Sequence, residues 1–155
     1  MKNIISLLMA LFIFLTVQAR ASNNLATGKT DQFEIAFIGF EKAEKWTKTP
    51  KKGYSYYVLT YQVKNISGTA LKHRKCPYAS SFNHADLDGT RNTWQRSTGV
   101  PVDESALHLP GDIVQPDEVY EDYLIYAIPD SFNEVEVFYS KSSYGKPDLH
   151  FTLKK

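Results

Sequence analysis

Tyr54-Ser55-Tyr56-Tyr57-Val58-Leu59-Thr60-Tyr61-Gln62-Val63-Lys64 is the stretch that decides the fold. Tyr57, Leu59, Tyr61 and Val63 recur at every second residue, and Tyr54, Tyr56, Val58, Thr60 and Gln62 fill the other phase. A two-residue period puts the sets on opposite faces of an extended chain, and the β-branched and aromatic residues in both suit a pleated surface. Asn65-Ile66-Ser67-Gly68 then supplies turn residues. The stretch predicts a long strand with one face in a core.

The same period appears on both sides. Phe33, Ile35 and Phe37 alternate with Gln32, Glu34 and Ala36, and Ile38-Gly39-Phe40 shifts the phase as a bulge at Gly39 would. Ala70 to Lys75 reads as extended, and Pro77 keeps Cys76 out of helical geometry. Ala79 to Leu87 reads as a strand, Asp88-Gly89 as its hairpin turn, and Arg91 to Arg96 as the return. Ser97 to Asp112 reads as an irregular connection with a short extended piece at Leu107 to Leu109. Val119 to Ile128 is a second long strand, with Leu124, Tyr126 and Ile128 on one face and Tyr123 and Ile125 on the other. Val135, Val137 and Tyr139 alternate again, as do Leu149, Phe151 and Leu153. No segment sustains a helical period. The expectation from this pattern is an all-β, antiparallel β-sandwich of about seven or eight strands over residues 31–155.

The N-terminus carries an address. Lys2 precedes a stretch from Ile4 to Val17 that is apolar except for Ser6 and Thr16, and Ala19-Arg20-Ala21 offers small residues for cleavage. Residues 1–21 read as a secretory signal peptide, too short to span a bilayer as an anchor, and residues 22–30 as a flexible leader. Periplasmic or extracellular localisation follows, with no membrane anchor after cleavage.

The whole chain carries a formal charge of +1, and removing residues 1–21 leaves 16 basic and 17 acidic residues. So even a balance leaves no footprint for nucleic acid or anionic lipid. Lys42, Lys45, Lys48, Lys51 and Lys52 form a local basic run, but Glu41 and Glu44 interleave with it. It reads as a solvated loop, with a partner-steering patch as the sharper alternative. Cys76 is the single cysteine, so no internal disulfide holds the domain. Both methionines, Met1 and Met9, lie in the expected signal peptide, which removes soft thioether ligands from the processed chain.

Three pieces carry a family resemblance: Tyr57 to Asn65, Phe82 to Gly89, and Val114-Gln115-Pro116-Asp117-Glu118 followed by Leu124 to Pro129. In that order they resemble the bacterial extracellular immunoglobulin-like domains of unknown function, which are similar to a small secreted immunogenic protein of mycobacteria. The resemblance covers roughly Asp31 to Tyr139. That family usually has Pro-Gly where this chain has Pro116-Asp117, and an apolar pair where it has His84-Ala85. The resemblance implies an immunoglobulin-like β-sandwich and an exported address. It brings no catalytic residues.

Chemistry-bearing groups are sparse. His73, Cys76 and His84 are the nearest thing to a metal set, with Asp86 as a candidate fourth ligand, but a loop histidine, a buried thiol and a strand histidine are the favoured reading. Asp86-Leu87-Asp88-Gly89 lacks the later oxygen ligands of a calcium loop. No Gly-x-Ser-x-Gly elbow occurs. The acid pairs Glu34/Glu41, Asp117/Glu118, Glu121/Asp122 and Glu134/Glu136 read as the solvated side of a sheet, and Asn65-Ile66-Ser67 as a turn that happens to match a glycosylation acceptor. The tyrosines are more suggestive. With one face of each long strand in the core, Tyr54, Tyr56, Val58, Tyr123, Ile125 and Phe138 are left on outer faces that are usually polar. They are the candidate binding residues. The expected role is an exported, non-catalytic protein-binding domain without a cofactor. An inhibitor or immunity protein against an envelope-targeted enzyme, a metal handler using Cys76 with His73 or His84, and a small hydrolase are the alternatives.

Overall fold

The computed structural model describes residues 24–43, 49–85, 91–93, 107–141 and 146–155, with backbone alone at 84, 85 and 91–93. The expected signal peptide, part of the lysine run, the expected Asp88-Gly89 turn, residues 94–96 of its expected return strand and residues 97–106 of the long connection lie outside the described residues. The strands, in chain order, are β1 (Ala26–Lys29), β2 (Phe33–Lys42), β3 (Tyr54–Asn65), β4 (Leu71–Lys72), β5 (Phe82–Ala85), β6 (Arg91–Thr93), β7 (Ile113–Val114), β8 (Val119–Pro129), β9 (Glu134–Tyr139) and β10 (Leu149–Lys154). One antiparallel sheet runs β1-β2-β3-β8, and the second runs β10-β9-β5-β6. β4 and β7 pair as a short ribbon. The all-β, antiparallel sandwich stands, with ten strands among the described residues because two two-residue strands and β1 join the expected set.

The long strand reads as its sequence dictates. Along β3, Tyr57, Leu59, Tyr61 and Val63 are buried and the intervening residues are half-buried. Its neighbours are β2 and β8, so Phe33, Ile35 and Phe37 on one side and Tyr120, Leu124, Tyr126 and Ile128 on the other extend the same apolar face. The second sheet answers with Phe82, Val135, Val137, Tyr139, Phe151 and Leu153. Aromatic rings bridge the layers: Phe82 lies 4.7 Å from Tyr61 and 6.0 Å from Phe37, and Phe151 meets Phe37 edge-on at 5.0 Å. Each such ring contributes roughly 2–3 kcal/mol by leaving water, so the core is held without a disulfide. The β2–β3 register shifts between Phe37 and Gly39, the bulge that the phase change predicts.

Two expectations change. Residues 22–30 are not a leader throughout, because Ala26–Lys29 is strand β1, paired with β2 across a turn in which the Thr30 hydroxyl accepts the Phe33 N–H at 3.0 Å. An edge strand needs backbone pairing more than side-chain pattern, so small polar residues suffice. Gly28 makes the position possible: a Cβ there would stand 3.0 Å from Phe151 and 3.1 Å from Leu149. Gly28→Val is therefore expected to lower stability by about 1–3 kcal/mol. The check is the urea midpoint together with protease cleavage ahead of Phe33. An unchanged midpoint would remove the packing role.

The second change lies after β4. His73–Lys75 and Ala79–Ser81 are single 3-10 turns rather than extended chain. Small residues and the Tyr78 N–H donating to Ser81 Oγ at 3.4 Å favour the second turn. Cys76 between them is extended (φ −90°, ψ 161°), as Pro77 requires.

Candidate binding surface

β3 and β8 set the candidate residues in register. On the face away from the core, Tyr54 pairs with Pro129, Tyr56 with Ala127, Val58 with Ile125, and Thr60 with Tyr123. The entry is fixed tightly. Gly53 has φ +81°, the Tyr54 N–H donates to Lys51 O at 3.0 Å, and the Ser55 hydroxyl donates to Asp130 Oδ1 at 2.6 Å. Lys51 Nζ stands 5.4 Å above the Tyr54 ring.

The six candidates do not form one surface. Tyr123 and Ile125 are fully buried although they face away from the core cluster, which leaves Tyr54, Tyr56 and Val58 as the half-exposed row. Phe138 belongs to the other sheet. It stacks on His150 at 4.7 Å, and His150 Nε2 lies 3.3 Å from Glu136 Oε1. Cross-strand register supplies His150 with both companions. Two-residue alternation assigns a side to each of these residues, but cover from elsewhere in the chain leaves no mark in the period.

Of the metal candidates, His73 and Cys76 have described side chains, while the side chain of His84 and all of Asp86 lie outside the described residues. Cys76 is a buried free thiol whose Sγ lies 3.6 Å from Lys72 O. Burial pushes the thiol upward, and the Glu118 carboxylate adds to the effect. A ligand or nucleophile needs the opposite shift. The His73 ring meets Tyr120 edge-on at 5.9 Å, and His84 takes its place in β5 opposite Val137. Among the described residues no three His, Cys, Asp or Glu side chains converge.

One acid belongs to the core rather than to solvent. Asp122 is in phase with Tyr120 and Leu124 and is 7 % exposed. Extending the alternation one step back from Leu124 would have found it. Its carboxylate is satisfied: Tyr61 Oη donates to Oδ2 at 3.1 Å and the Tyr123 N–H to Oδ1 at 2.9 Å. Burial first, and Asp122 second, hold the Tyr61 phenol well above its usual range. The pair is a closed hydrogen bond between a neutral phenol and a carboxylate, with its capacity spent inside the sandwich.

Asn65 is the other functional-looking residue that becomes structural. It is fully buried, and Nδ2 donates to Thr69 O at 2.7 Å, Val114 O at 3.2 Å and Gln115 O at 3.1 Å. Oδ1 accepts from the N–H and hydroxyl of Ser67, at 3.0 and 2.7 Å. The amide is occupied by the fold and closed to modification in the folded state. Beside it, the Glu118 N–H donates to Gln115 O at 3.1 Å, and Asp117 has φ +62° at the third position of that turn. The resembled family puts glycine there, which suits positive φ.

Comparisons with known proteins bear on the fold. No family model and no curated protein matches the chain. The structure is similar to a conserved hypothetical protein of Bacillus anthracis, at 16 % identity and TM-score 0.59, covering 83 % of this chain and 92 % of that one. It is also similar to a candidate lipoprotein of Bacillus subtilis, at 19 % identity and TM-score 0.58, covering 83 % of this chain and 38 % of that one. A secreted protein of Mycobacterium tuberculosis overlays more loosely, at 15 % identity and TM-score 0.48 over 83 % of this chain and 90 % of that one. The two Bacillus likenesses show a shared fold alone and leave the immunoglobulin-like family unshown. Among the described residues no helix is long and apolar enough to cross a membrane.

Proposed function

We propose that this chain is an exported, non-catalytic protein-binding domain working in the cell envelope or outside the cell. The observation that carries the reading is the row Tyr54, Tyr56 and Val58, half-exposed on the outer face of the most strongly specified strand. Tyrosine offers large contact area with little entropy to lose, and β3 holds the row rigidly between β2 and β8. The burial of Tyr123 and Ile125 narrows the surface to that row. The N-terminal pattern of a short basic start, an apolar stretch and Ala19-Arg20-Ala21 supports the exported address. The satisfied state of Asp122 and the raised Cys76 thiol support a non-catalytic role.

The test is a pull-down from envelope extract with the exported protein as bait, beside a Tyr54→Ala/Tyr56→Ala variant of unchanged melting temperature. A partner held by the native protein and lost from the variant is expected. Identical capture by both, or capture by neither, overturns the reading.

A further inference from the structure

Lys72-His73-Arg74-Lys75 puts four basic residues in succession where the chain leaves β4. The near-neutral total hides the run. The 3-10 geometry of His73–Lys75 splays three consecutive side chains around one turn. His73 is spent against the Tyr120 ring, while Lys72, Arg74 and Lys75 are exposed.

Two nearby acids are engaged elsewhere. Asp117 Oδ1 holds Lys64 Nζ at 2.9 Å, and Glu118 Oε2 takes the Gln115 N–H at 2.6 Å. Asp112 stands beside the turn, its carbonyl accepting the His73 N–H at 3.0 Å. None of Lys72, Arg74 and Lys75 is ion-paired among the described residues.

Two exposed apolar side chains flank these cations. Lys72 pairs across the ribbon with Ile113, and because Leu71 and Val114 turn inward, Lys72 and Ile113 share the outward face. Ile113 is 42 % exposed and Tyr78, three residues past Lys75, is 46 % exposed. Cations interleaved with an aliphatic and a phenol suit a bilayer interface, where headgroups meet the charges and the boundary region takes the apolar groups. A segment of acidic side chains alone would meet the charges and leave Ile113 in water.

We propose that this turn docks the domain on the anionic surface of a bilayer, with Lys72, Arg74 and Lys75 over the headgroups and Ile113 and Tyr78 in the interface. The site is distinct from the tyrosine row. It follows the far end of β3, about 35 Å along the strand from Tyr54. One end of the sandwich can rest on lipid while the row stays open to a partner.

The experiment is vesicle co-sedimentation of the exported protein, as processed by the cell, on phosphatidylcholine alone and with about 30 % phosphatidylglycerol. Binding is expected on the anionic vesicles alone, to fade at about 0.5 M salt, and to fall roughly a hundredfold in Lys72→Gln/Arg74→Gln/Lys75→Gln, taking a factor of about five per surface cation. These side chains are exposed, and an unchanged melting temperature keeps the comparison clean. No binding to anionic vesicles, or equal binding by the variant, overturns the proposal. So does equally tight binding to soluble polyglutamate, which would assign the turn to an acidic macromolecule.

Discussion

Raising the pH past about 11 is expected to unfold this domain in one cooperative step, because its core holds neutral phenols against ionisation. Tyr61, Tyr120, Tyr126 and Tyr139 all sit above the usual phenol range, with burial the first cause in each and Tyr139 pushed up to about 12. The unfolded chain gives up these protons near pH 10, while the folded chain keeps them. The stability they carry is therefore fully present below about pH 10 and is lost as pH rises toward the folded values. Each group loses about 1.4 kcal/mol per pH unit, so four together remove about 5 kcal/mol by pH 11. That is comparable to the whole stability of an ordinary domain. Far-ultraviolet circular dichroism and tyrosine ring NMR signals check it. The four rings should stay protonated until the strand signal collapses. Core ionisation ahead of unfolding, or a fold intact at pH 12, would contradict this account.

Asn65→Ala is expected to cost about 3–5 kcal/mol, the largest effect of any single polar truncation here. It strips three carbonyls and two Ser67 donors of their partner at a fully buried position. Each buried group left unsatisfied costs roughly 1–3 kcal/mol, offset where the loop opens to water. Asn65→Asp should be worse, because an ionised carboxylate cannot donate and would face the oxygens of Thr69, Val114 and Gln115. Acidification should recover part of that loss by restoring one O–H donor. Urea midpoints of the two variants at neutral and acid pH measure the effect. A loss below about 1 kcal/mol for Asn65→Ala would mean that water replaces the amide.

The parts legible in the sequence were those that repeat. β3, β8, β9 and β10 follow from two-residue alternation, and the Gly39 bulge from its one-residue slip. The missed parts are those where the period carries no information. β1 is small and polar because an edge strand is specified by backbone pairing and by the room Gly28 leaves for Phe151. Asp122 and Asn65 look like solvent-facing and turn residues by type, yet both fall in the buried phase of their strands, and a partner across the sheet or loop makes that tolerable. At the candidate site, alternation put Tyr54, Tyr56, Val58, Tyr123 and Ile125 on one face, but it carries nothing about the cover that buries Tyr123 and Ile125.

The meeting of Gly28 with Phe151 also has a kinetic meaning. The two residues lie more than a hundred positions apart, yet they close the seam between the two sheets. Synthesis delivers Phe151 more than a hundred residues after Gly28. Loop-closure entropy sets a high threshold for so distant a contact, and β-rich topologies of this kind fold on the millisecond-to-second scale. The β2–β3–β8 centre can assemble while β1 still lacks its second neighbour. The seam is then the last place to order and the first to open, which makes β1 the element that amide exchange should find least protected.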